Sequence, residues 1–172
     1  MLDKKWVQLS LFSTVWSAII FSQVIGQNAV AWVAYLGYLI VMTRVVTSKA
    51  LELKLMILIA LMGMFIDASF LKNELFVINQ EYVLVGLIPF WLIMLWSLMQ
   101  LVFHYGFQAT DQSIKWIRLG VGAIVPFAYL FGDVLGLMTI SKPFLFYVCS
   151  ALVWFGIAQL LYRLRQYITE GQ

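Results

Sequence analysis

Six apolar runs of about 17 to 23 residues, separated by short polar gaps, take up nearly the whole of this 172-residue chain. A helix of about 20 residues crosses the ~30 Å hydrocarbon core of a bilayer, so the expected fold is an all-α polytopic membrane protein with six transmembrane helices. The chain is 63% hydrophobic and 11% charged, with a mean hydropathy of +0.94. A soluble domain is about half apolar and a quarter charged. Six spans leave no segment for a separate soluble domain, so residues 1–172 are expected to form one transmembrane domain. The net charge of +3 comes from the gaps and is read as a topology signal. Membrane lipid is the expected partner, and nucleic acid is not.

The runs fall at about Trp6 to Ile25, Ala29 to Val46, Leu55 to Leu71, Val83 to Tyr105, Trp116 to Met138 and Phe144 to Tyr162. The first is too long for a signal-peptide core and ends in no small-x-small cleavage site, so it is read as a retained helix. Gly26-Gln27-Asn28 permits a tight first hairpin, and Ser141-Lys142-Pro143 separates the last two runs. No internal repeat is visible.

Nine of the eleven Lys and Arg residues then lie on one side: Lys4, Lys5, Arg44, Lys49, Lys54, Lys115, Arg118, Arg163 and Arg165. Only Lys72 and Lys142 lie on the other. The positive-inside rule places both termini on the cytoplasmic side of an inner membrane. Trp6, Tyr105, Trp116 and Tyr162 are expected at the inner boundary, and Tyr82, Trp91 and Tyr147 near the outer one.

Two acids fall inside spans, Asp67 and Asp133, each roughly 6–8 Å below the outer boundary by helical rise. Intramembrane acids are costly and face a bundle interior or a watery cavity, so a shared outer-leaflet pocket is one reading. Hydration by head groups, or pairing with Lys72 or Lys142, is the other. Pro126, Tyr129 and Asp133 share a helix face, and Pro126 interrupts the hydrogen-bond ladder. Ala128, Gly132 and Gly136 form a small-xxx-small ridge, for packing inside the bundle or for a homodimer seam. Gly63 lies one turn below Asp67 and offers a similar close approach.

Trp96, Gln100 and His104 follow at i, i+4, i+8; Gln100 and His104 lie toward the cytoplasmic end, and His104 is too far from the acids to serve them. His104 is read as an interfacial anchor. Ser10, Ser13, Thr14 and Ser17 are expected to bond between helices. Cys149, the one cysteine, is a packing residue that allows no intrachain disulfide. No metal site or cofactor is expected from so few His and Cys residues, and no Ser-His-Asp set, phosphate loop or redox motif is present.

The stretch Leu55 to Asp67, with Gly86-Leu-Ile-Pro-Phe-Trp91, Leu95-Trp96, His104 and Gly122-Ala-Ile-Val-Pro126-Phe-Ala-Tyr129, resembles a bacterial family numbered twenty-eight seventy-eight among domains of unknown function. The resemblance covers about residues 6 to 160. It marks Gly63, Asp67, Pro89, Trp91, Trp96, His104, Pro126 and Tyr129; the Asn that often precedes the family's His is Phe103 here. Members lie near genes for cyclopropane-type fatty-acid modification and for a small lipoprotein. The resemblance therefore implies a role in membrane-lipid modification or envelope maintenance, with a lipoprotein as a candidate partner.

The leading expectation is an envelope accessory protein whose outer-leaflet polar pocket, built from Asp67, Trp91, Trp96, Tyr129 and Asp133, binds a lipid or a membrane-protein partner. Two alternatives stand beside it. One is a lipid-modifying enzyme with Asp67 or Asp133 as acid or base. The other is a small proton-coupled transporter. Homo-oligomerisation is left open.

Overall fold

The computed structural model describes residues 4–46, 48–79, 83–84, 88–107 and 113–170. The fold is all-α, with four short strands at one end. Helix α1 is Lys4–Val24, α2 Asn28–Met42 and α3 Lys49–Lys72. Strands β1 (Phe76–Ile78), β2 (Val83–Leu84) and β3 (Ile88–Pro89) follow. Helix α4 (Phe90–Leu101) runs on into a π-helical segment, Val102–Phe107. Helix α5 is Ile114–Val134, β4 is Met138–Ile140 and α6 is Pro143–Glu170.

The helices pack as three hairpins, α1 on α2, α3 on α4 and α5 on α6. Helices α1, α3, α5 and α6 are long and apolar enough to cross a bilayer, while α2 and α4 are shorter apolar helices. Large apolar side chains cover the outside, including Val33, Phe65, Ile124 and Leu152. Water would penalise so continuous an apolar exterior, and lipid does not. These features mark a membrane protein.

Three helix boundaries differ from the sequence expectation, each for a local reason. The fourth apolar run becomes helical only at Phe90, because Pro89 caps the helix in an extended conformation and a residue before proline disfavours the α region. Ahead of it, Val83 pairs with Pro89 and Leu84 with Ile88. Helix α3 starts at Lys49, inside the expected loop, which carries Glu52 into the first turn, where the helix dipole favours an acid. Helix α5 stops at Val134, because Gly136 takes a left-handed conformation (φ 74°).

That stop is half of a structural repeat. At the end of α5, Leu137 N–H donates to the Gly132 carbonyl and Gly136 N–H to the Asp133 carbonyl, both at 2.9 Å. At the end of α3, Leu75 N–H donates to Phe70 and Glu74 N–H to Leu71, at 2.9 and 3.0 Å. Both are Schellman turns. Each feeds a strand, and β1 and β4 pair antiparallel with Val77 opposite Thr139. Asn79 N–H donates to Leu137 O, and Ser141 N–H to Leu75 O, both at 3.0 Å. Counterparts in the two units lie 62 residues apart, and the pairing of Phe76 with Ile140 and Ile78 with Met138 is symmetric about Val77 and Thr139, so a local two-fold axis passes between those two. The sequence hides this repeat because only turn geometry and apolar pattern are shared.

Beneath the ribbon lies an aromatic nest. Phe146 sits edge-on to Phe76 (5.8 Å) and to Tyr129 (5.3 Å), and its side chain is fully buried. This packing fixes the Tyr129 ring, which delivers its hydroxyl into the bundle.

Candidate functional site

Helix α3 buries a stripe at helical spacing: Glu52, Met56, Ile59, Gly63, Asp67 and Phe70. Gly63 is required there. A Cβ at that position would lie inside the Trp96 indole, so the ring of α4 rests directly on the α3 backbone. Seated so, Trp96 Nε1 donates to Asp67 Oδ2 at 2.7 Å, one turn farther along α3. Tyr129 of α5 donates its hydroxyl to Asp67 Oδ1 at 2.9 Å. Trp154 of α6 stacks on the other face of Trp96, with ring centroids 4.5 Å apart and planes 9° apart. Donors from α4 and α5 thus converge on one carboxylate that is 0% exposed. Among the described residues no cation pairs with it.

Trp96 and Tyr129 also wall a cavity of about 630 Å³, within the ~300–1,000 Å³ range of small-molecule sites. Its floor is α4 from Trp91 onward with Val102 of the π-helical segment, and Trp154 lies behind; α1 from Phe12 to Ile20 forms one side and α5 from Ile117 to Gly132 the other. Lining residues are overwhelmingly apolar. Trp91 Nε1 has no hydrogen-bond partner among the described residues, but it is sealed from solvent, so ring carbon meets the slot.

Several expectations need correcting. The pocket is apolar, not polar, and it runs along the bundle instead of lying at one leaflet. Asp67 does not line it; Trp96 and Tyr129 stand between. Asp133 does not line it either: it is part-exposed at the end of α5, beside Tyr147 of α6. The two acids do not share a pocket. Lys142 reaches the Asn73 carbonyl at 3.0 Å and Glu74 at 3.9 Å, and neither Lys72 nor Lys142 pairs with Asp67. Ala128 and Gly132 line the slot, while Gly136 forms the turn after α5, so the three are no continuous packing ridge. The close α5–α6 approach is at Gly122, where a Cβ would stand 3.1 Å from the Ala151 carbonyl. Ser13 and Thr14 bond back to the carbonyls of Leu9 and Ser10 at 2.9 Å within α1, satisfying their hydroxyls without another helix. Trp91, at the start of α4, is buried in the slot wall. Tyr82 lies outside the described residues, as does the side chain of Trp6.

A second polar centre lies 15 residues below Asp67 on the same stripe, roughly 22 Å away by helical rise. Glu52 is buried and accepts from Gln100 Nε2 at 2.7 Å and from Tyr105 OH at 3.0 Å, and His104 Nδ1 lies 2.6 Å from its Oε1. His104 is therefore the partner of a buried acid and no interfacial anchor. In a regular helix, consecutive side chains diverge by about 100°. The π-helical segment lets His104 and Tyr105 stack, 4.2 Å apart and 13° from parallel, and both reach Glu52. Sequence reasoning missed Glu52 by assigning it to a loop. The signal was there, since the spacing from Asp67 through Gly63, Ile59 and Met56 continues to it.

A comparison with protein families matches residues 5–160 to a family described as Protein of unknown function (DUF2878). The chain belongs to the DUF2878 family. No curated protein and no solved structure matches it. In this DUF2878 chain five of the eight marked positions meet around Asp67: Gly63 seats Trp96, Trp96 and Tyr129 bind the carboxylate, and Pro126 is buried one turn before Tyr129. Trp91 walls the slot, Pro89 caps α4 and His104 joins Glu52. The slot offers a large apolar volume, with the Tyr129 ring in its wall and the Asp67 carboxylate behind it.

Proposed function

We propose that this DUF2878 protein is an envelope or membrane-lipid accessory protein that holds a lipophilic molecule in the slot between α1, α4 and α5. The observation that carries this reading is the cavity itself, a large apolar volume walled by Trp91, Trp96, Tyr129 and Trp154. Rigid aromatic rings supply wide contact at low entropic cost, and Asp67 holds two of them in place. The setting is a six-span bundle in a bacterial inner membrane with both termini in the cytoplasm. That topology is supported by the segregation of nine cations to one side and by the pairing of short α2 and α4 with long α1 and α3. A lipoprotein, another membrane protein or a second copy are candidate partners of the outer surface. Native mass spectrometry of the gently extracted protein tests the reading: a stoichiometric lipophile is expected, and a bare chain under conditions that preserve lipid adducts on a control would refute it.

A second reading is an enzyme that modifies the bound lipid. It is favoured by the Tyr129–Asp67 pair, a hydrogen-bonded phenol and carboxylate whose phenol faces the slot. Asp133, outside the slot, has no part in it. Conversion of the slot lipid by the wild type but not by Tyr129→Phe, with binding retained, distinguishes enzyme from binder.

A further inference from the structure

Resting on the binding reading, we infer that the occupant of the slot is one acyl chain of a bilayer phospholipid, admitted sideways between α1 and α5. The slot follows α4 from Trp91 into the π-helical segment at Val102, and α5 from Ile117 to Gly132, roughly 16–22 Å by helical rise. Spread over that length, about 630 Å³ leaves a cross-section of about 30–40 Å². A single hydrocarbon chain fits a slot of this length and width.

The walls offer a polar occupant little. Trp96 Nε1 and Tyr129 OH are engaged with Asp67, and Ser13 Oγ with the Leu9 carbonyl, which leaves the Ser17 hydroxyl on the α1 wall. A head group drawn inside would lose its hydration and gain little, so it stays at the membrane surface. The open side faces lipid: Ile124 and Phe127 on the α5 rim are 69% and 63% exposed. Across that opening the rings of Trp16 and Phe131 meet, with centroids 6.1 Å apart. A chain already in the bilayer slides in there without crossing water.

Charge sets the direction. The Ile117 end of the slot lies in the first turns of α5, where Lys115 is exposed; Arg118 is turned to α6, donating to Gln159 Oε1 at 2.7 Å and lying over the Phe155 ring. Most of the chain's cations belong to that end of the bundle. A phosphodiester at this end meets complementary charge, and its chain extends from Ile117 toward Tyr129 and Met138.

Gly120 supplies the test. It lines the slot, and a Cβ there meets nothing within 4 Å. A larger side chain at this position therefore fills the slot without displacing backbone. Wild type, Gly120→Leu and Gly120→Phe are released from phospholipid nanodiscs and weighed by native mass spectrometry. The expected result is one phospholipid on the wild type, lost from Gly120→Phe, reduced in Gly120→Leu and weakened by Lys115→Glu. The two Gly120 variants, with helicity checked by circular dichroism, guard against a folding defect in either. A phospholipid kept equally by all three would overturn the inference, as would a free fatty acid or isoprenoid on the wild type, which leaves the binding reading intact. A second copy of the chain, released by Gly120→Phe, would overturn it too. No adduct on any form removes the binding reading and the inference together.

Discussion

Asp67 and Tyr129, 62 residues apart, occupy equivalent positions in two helix–turn–strand units and bond to each other at 2.9 Å. Each lies nine residues before the first residue of its strand, Phe76 or Met138. The local two-fold axis that pairs the strands thus also brings the acid of one unit to the phenol of the other. Trp96, seated on Gly63, completes the set.

Gly63→Ala tests that seat. The added methyl displaces the indole and breaks its bond to Asp67. Overpacking and an unmet buried acceptor together cost about 2–4 kcal/mol. Urea unfolding in micelles reads the loss; a midpoint equal to wild type would show that the ring has room to move.

Trp96→Phe and Tyr129→Phe each strip one donor from a buried carboxylate, at about 1–3 kcal/mol apiece. Both act on the same group, so the double variant should depart from additivity. A double-mutant cycle measures this, and strict additivity would mean that the two bonds are independent.

At the other end of α3, removing either His104 or Glu52 alone leaves a buried polar group without its main partner, a loss of roughly 3–5 kcal/mol. Replacing both by leucine should cost less than either truncation to alanine. Thermal unfolding of the three variants decides, and a double leucine variant worse than both would contradict the assignment.

The two Schellman turns predict opposite responses. Glu74 holds a left-handed φ of 55° that glycine adopts freely, so Glu74→Gly should stabilise by up to about 1 kcal/mol. Gly136→Ala should destabilise by about the same amount. Equal shifts of one sign in the two unfolding midpoints would count against the repeat.

Topology is open to labelling in a Cys149→Ser background. Cysteines placed at the exposed positions Lys49 and Lys115 should react from the same side of the membrane, and one at Lys142 from the opposite side. Labels on Lys49 and Lys115 from different sides would break the six-span arrangement.

Much of the fold is legible in the chain because partition into lipid is local. A run such as Phe144 to Tyr162 announces a helix without knowing its neighbours. The family pattern likewise picked out Gly63, Asp67, Trp96 and Tyr129. Their geometry stayed hidden: nothing in a one-dimensional pattern tells that the glycine seats the tryptophan. Glu52 was misplaced because charge at the edge of an apolar run reads as loop, whereas three donors from α4 and the π-helical segment make its burial tolerable.

The sequence by itself determined the solvent, the helices and the asymmetry of charge, since each follows from how a short stretch of side chains partitions between water and hydrocarbon. Only the tertiary structure decided which acid is buried, which is left at a helix end, and that an apolar slot lies beside the first. Those outcomes depend on contacts between residues tens of positions apart, whose energy exists only once the hairpins have packed.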